Sequence, residues 1–115
     1  AYCDCVVAGP STAAIDAAVF DKPILLVDFY PSELPEEEKI YEYGTEHFSR
    51  IIESGGVRRA RTQEEFLRWL GDYFAHPEFE RSGRERIRRE QCWKSAGQAS
   101  ERVSELILAE LARQR

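Results

Sequence analysis

The stretch Cys5-Val6-Val7-Ala8-Gly9-Pro10-Ser11-Thr12-Ala13-Ala14-Ile15-Asp16 joins an apolar strand, a Gly-Pro break and two hydroxyl residues at the head of an Ala-rich helix. A helix N-terminus presents unpaired N–H groups and about half a positive charge, so such a turn at the end of a parallel strand suits a phosphate. Pro10 sets the entry angle, and the hydroxyls of Ser11 and Thr12 can cap the helix or donate to phosphate oxygens. Asp16 follows Thr12 by four residues, one turn further along the same helix face, where a carboxylate can reach ribose hydroxyls below a bound pyrophosphate. Gly9, Ser11, Thr12 and Asp16 are therefore the candidate nucleotide-binding residues. The same pattern also suits an ordinary capped helix behind a buried strand.

Other chemistry-bearing residues have a functional and a plain reading each. Asp28 and Tyr30 end a second apolar segment, where they can touch a transferred group or simply be solvated. His47, in Tyr43-Gly44-Thr45-Glu46-His47-Phe48, opens a helix and can contact a donor phosphate or move a proton; it also fits an ordinary half-exposed helix position. His76, before Pro77, reads as a helix stop. Arg81, Arg84, Arg86, Arg88, Arg89 and Lys94 make a basic stretch in an acidic chain. It suits either peripheral contact with an anionic membrane or a solvated helix paired with Glu80, Glu85 and Glu90. Cys3 and Cys5 alternate on a strand and are expected as buried thiols, and Cys92 lies alone in a charged segment. No metal-ligand spacing is present, and Trp69 and Trp93 read as packing residues. No pattern calls for a cofactor or names a catalytic residue.

The elements that must position these groups follow from periodicity. Residues 2–8 read as a strand, 11–20 as a helix and 24–29 as a second strand whose near-continuous apolar run implies burial on both faces, as in a parallel sheet. The short strand, helix, strand spacing requires a crossover, expected to be right-handed, and ligands then collect outside the carboxyl ends of the strands. Gly9, Ser11 and Asp28 fall at that edge. Residues 30–44, with Pro31, Pro35, Glu36-Glu37-Glu38 and Tyr41, read as a loop with a helical turn. Thr45 caps a helix to about Ser54, Gly55-Gly56 end it, and Val57 to Ala60 form a short strand. Thr62-x-x-Glu65 is a capping box before Phe66, Leu67, Leu70, Tyr73 and Phe74, so the spacing predicts a helix over 63–75. The remainder, 78–113, is charged and helical with a break near Gly97 and an apolar stripe of Val103, Leu106, Ile107 and Leu111. The expected architecture is one α/β domain of three layers with a small parallel sheet.

Size and charge bound the rest. The 115 residues suffice for one domain, and a formal charge of −5 argues against nucleic acid as a partner. No apolar run approaches the roughly 18 residues that span a bilayer, and no secretory leader is recognisable, so a cytoplasmic chain is expected. Methionine is absent and the chain opens within a strand, which suggests a piece of a larger protein.

Taken together, Gly9-Pro10-Ser11-Thr12-Ala13-Ala14-Ile15-Asp16, Lys22-Pro23-Ile24-Leu25 and Gly97-Gln98-Ala99-Ser100-Glu101-Arg102-Val103 resemble the C-terminal part of a GT-B glycosyltransferase. The resemblance is nearest to the CDP-glycerol glycerophosphotransferase and surface polysaccharide transferase family, in which an Asp-Tyr-Ser-Ser-like turn is followed by Asp, Lys-Pro and an apolar strand. Gly9-Pro10 stands where that family has Asp-Tyr. The resemblance implies a Rossmann-like half-domain that binds a nucleotide-activated donor, of UDP-sugar or CDP-glycerol type, for cell-surface polysaccharide synthesis. It also implies that the acceptor site and catalytic base belong to an N-terminal domain. Residues 2–8 would then pair with that missing portion or with a second copy in a homodimer. A non-hydrolysing sugar-nucleotide epimerase, or a non-catalytic interaction domain of the same fold, are the alternatives.

Overall fold

Ile24, Leu25 and Leu26 are completely buried, and successive side chains of a strand point to opposite faces, so both faces of their strand must be covered. The computed structural model describes residues 2–39, 42–92 and 97–114, which form an α/β fold with a parallel three-stranded sheet. The strands are β1 (Val6–Ala8), β2 (Ile24–Val27) and β3 (Arg58–Ala60), in the order β1-β2-β3. Val6 is in register with Ile24, and Leu26 is in register with both Ala8 and Arg59. Five α-helices accompany them among the described residues: α1 (Ala13–Val19), α2 (Glu46–Glu53), α3 (Gln63–Ala75), α4 (Arg81–Gln91) and α5 (Ala99–Arg113).

Two cores separate the layers. On one face Ile24 and Leu26 meet Ala14, Ala17 and Ala18 of α1, Phe48 and Ile51 of α2, and Ile87 of α4. Alanines line α1 there, so its backbone lies close to the sheet and leaves room for α4 behind it. On the other face Leu25 and Ala60 meet Tyr73 of α3, with Phe29, Phe66, Trp69 and Leu70 around them. Two tyrosines clamp β2 from opposite faces and opposite ends. The Tyr43 hydroxyl donates to the Val27 carbonyl at 2.6 Å, and that of Tyr73 to the Ile24 carbonyl at 3.4 Å.

Several elements are shorter than the sequence suggests. The first strand is Val6–Ala8 rather than 2–8, because the Val6 amide bonds the Pro23 carbonyl at 2.9 Å and Pro23, lacking an N–H, cannot extend the ladder. Cys3 is consequently exposed and Cys5 half-buried, so the two do not form a buried thiol pair. The first helix starts at Ala13 and stops at Val19, with Asp21 in the left-handed region at φ 51° turning the chain toward β2. The second strand stops at Val27, although the Asp28 amide still reaches the Ala60 carbonyl at 2.8 Å. Thr45 and Thr62 cap α2 and α3 as expected, their hydroxyls accepting from the amides of Phe48 and Glu65. The Glu65 carboxylate turns back to the Arg61 amide at 2.9 Å, one residue earlier than in a regular capping box. Tyr41, Trp93 and Lys94 lie outside the described residues.

Charged residues hold the layers at the amino edge of the sheet. Arg84 is fully buried; it pairs with both Asp21, through Nε at 2.9 Å, and the carbonyls of Pro77 and Phe79. It is thus neither part of a basic surface nor paired along its own helix. Arg58 pairs with Asp72 at 2.8 Å and Glu80 at 3.0 Å, its guanidinium lying 5.0–5.8 Å from the ring centroids of Tyr73, Phe79 and Trp69. Among the described residues, no helix is long and apolar enough to cross a membrane.

Candidate functional site

In a parallel sheet the loops leaving the strand ends meet at the carboxyl edge, and here those loops carry most of the candidate residues. Gly9 follows β1, and Ser11 and Thr12 lead into α1; all three are exposed. A Cβ on Gly9 would meet no atom within 4 Å and its φ is not left-handed, so the fold itself does not require glycine there.

The turn is more self-contained than an open anion site. The Ser11 hydroxyl accepts from the Ala13 amide at 3.2 Å, and the Ser11 carbonyl accepts from the Ala14 amide at 3.2 Å. Thr12 already has helical angles, and its side chain makes no capping bond. What the turn offers a ligand is therefore the two hydroxyl protons more than a fan of helix N–H groups, and α1, at seven residues, carries only a short dipole. Asp16 lies exposed one turn down α1.

Asp28 has a different role from a free strand-end carboxylate. Its Oδ2 accepts from Arg59 Nε at 2.8 Å and lies 2.6 Å from Arg59 Nη2. The guanidinium stacks over the Tyr43 ring, 4.4 Å from its centroid. Burial, followed by the charges of Asp28 and Tyr30, pushes the Tyr43 hydroxyl up to about 12, against the opposing effect of Arg59. Tyr43 is thus a neutral, fixed platform. Arg59 belongs to β3 and was not legible as a site residue, because its partner Asp28 is 31 positions away. The one local hint was a pair of arginines inside a three-residue strand.

His47 stands in the first turn of α2 and is exposed. It lines a shallow cleft of about 300 Å³ with Glu46, Arg50 and Gln91, apart from the Asp28–Arg59 pair. The structure therefore brings Gly9, Ser11, Thr12, Asp28 and Arg59 to one edge and sets His47 to its side. A larger cleft, about 640 Å³, opens at the opposite, amino edge between Phe20, Lys22, Pro23, Phe74, Pro77 and Arg81. No group of three or more His, Cys, Asp or Glu among the described residues is placed to hold a metal.

The α4 arginines are largely paired: Arg81 with Asp21 at 2.8 Å, Arg86 with Glu90 at 2.8 Å, and Arg88 with Glu85 at 4.0 Å. Glu80 turns away from them to Arg58. No known family model matches the chain, and no curated protein or solved structure matches it.

Proposed function

We propose that this chain is the donor-nucleotide-binding part of a GT-B glycosyltransferase or glycerophosphotransferase of cell-surface polysaccharide synthesis, a Rossmann-like half-domain acting with a second domain that holds the acceptor. The observation that carries this reading is the convergence, at the carboxyl edge of a parallel sheet, of the exposed Gly9, Ser11 and Thr12 with Arg59 of β3 and its partner Asp28, which follows β2. In this reading the hydroxyls of Ser11 and Thr12 donate to the nucleotide phosphate and Asp16 accepts from the ribose. Stabilising the departing nucleotide in place is the electrostatic contribution that this edge would make to transfer.

The test is binding followed at single residues. UDP and CDP should shift the amide resonances of Ser11, Thr12 and Ala13, and Asp16→Ala should weaken that binding. Saturating nucleotide that moves none of these resonances would return the turn to a plain helix cap.

A further inference from the structure

We propose that Arg59 is the phosphate-recognising residue of this edge, with Asp28 and Tyr43 as the residues that position it; the inference rests on the donor-nucleotide reading above. Ala8, Leu26 and Arg59 lie in one row across the sheet, since Leu26 is in register with both. Side chains in register point to the same face, so Arg59 projects on the α1 side, the side on which the Gly9–Thr12 turn enters its helix. Two strand spacings separate the Arg59 and Ala8 backbones, about 10 Å, a gap that a long arginine side chain and a nucleoside diphosphate together span.

The guanidinium is held in a way that leaves part of it for a ligand. Nε and Nη2 both address a single oxygen, Asp28 Oδ2, and Tyr43 supports the plane from below. Among the described residues Nη1 meets no acceptor, and the side chain stays 27% exposed. Asp28, 16% exposed, and Tyr43, 3% exposed, are more deeply set. An arginine fixed by a carboxylate on one edge and open on the other presents parallel N–H donors at a set angle, the arrangement that suits phosphate oxygens. The closed Ser11 turn leaves a phosphate in need of such a donor.

Titration of the chain with UDP, UMP and uridine, followed by calorimetry, tests the assignment. Arg59→Gln should weaken UDP by about ten- to a hundredfold, the worth of one charge-assisted hydrogen bond, and leave uridine unchanged. Arg59→Lys should recover only part of the loss, because an ammonium lacks the planar fork. Asp28→Asn should lower UDP affinity less than Arg59→Gln does, and again spare uridine. In the unsubstituted chain the side-chain N–H resonances of Arg59 should move on adding UDP and stay in place with uridine, a readout independent of whether any variant folds. Binding of UDP with the Arg59 resonances unmoved, or at equal strength by Arg59→Gln, would overturn the role of Arg59 and leave the nucleotide reading standing. Failure of the unsubstituted chain to bind any of the three, or CDP, would overturn both.

Discussion

Asp21 shows how much one surface carboxylate does when it sits at a crossing. Its left-handed backbone turns α1 into β2, and its two oxygens receive Arg81 at 2.8 Å and the fully buried Arg84 at 2.9 Å. Burial acts to raise its pKa, but hydrogen bonds and charge from Arg84, then from Arg81, outweigh it and hold the carboxyl below its ordinary range. A group whose folded value is lowered adds stability above its unfolded value, near 3.9, and that stability is lost as pH falls through the lower folded value. Asp21→Asn tolerates the same left-handed backbone and so isolates the charge. Because the carboxylate is about half exposed to solvent, the expected cost near neutral pH is only about 1–2 kcal/mol. In urea denaturation across pH, the gap between this variant and the parent should stay constant above about pH 5 and close toward pH 2. A gap that persists in acid would mean that shape, and not charge, makes Asp21 matter.

At the scale of elements, the tightest constraint is a crossing of glycines. Gly83 of α4 passes so close to the turn before β3 that a Cβ on it would overlap the backbone of Gly55 and Gly56; one on Gly56 would likewise strike Gly83 and Arg84. Within an exposed helix, Gly→Ala normally gains about 1 kcal/mol. Here Gly83→Ala should instead cost about 1–3 kcal/mol, because α4 must lift from the turn and draw Ile87 from the core. Gly71→Ala in α3, where a Cβ meets nothing within 4 Å, is the control and should stabilise. Thermal melts of the two variants should therefore move in opposite directions. The contrast also marks what the sequence could tell. The β2 run, the Thr45 and Thr62 caps, the limits of α3 and the break near Gly97 were readable because each depends on neighbours within one or two turns. Arg84 with Asp21, 63 positions apart, and Arg59 with Asp28 were not, because an arginine's spacing along its own helix or strand says nothing about a partner brought in by the fold. The strand limits were misread for a related reason: where a ladder stops is decided by the neighbouring strand, here by Pro23.

Across the whole molecule, what is left uncovered is as specific as what is packed. β1 has β2 on one side and no strand on the other among the described residues, and Val7 is exposed on the α3 face. α5 buries none of its side chains, yet carries Val103, Leu106, Ile107, Leu108 and Leu111, each more than half exposed. Apolar helix surface and an open strand edge both favour contact with a further surface, and either can join two copies of this chain. We expect the isolated chain to self-associate, with light scattering across a dilution series giving a mass above that of the 13.3 kDa monomer. Two sets of substitutions separate the surfaces. Replacing Leu106, Ile107 and Leu111 together by Glu should leave the chain folded, as read by circular dichroism, because these side chains belong to neither core. If α5 is the contact, this variant is monomeric and Val7→Lys is not; if the β1 edge is the contact, the order reverses. A parent chain that stays monomeric at every concentration would show that neither surface joins copies of this chain.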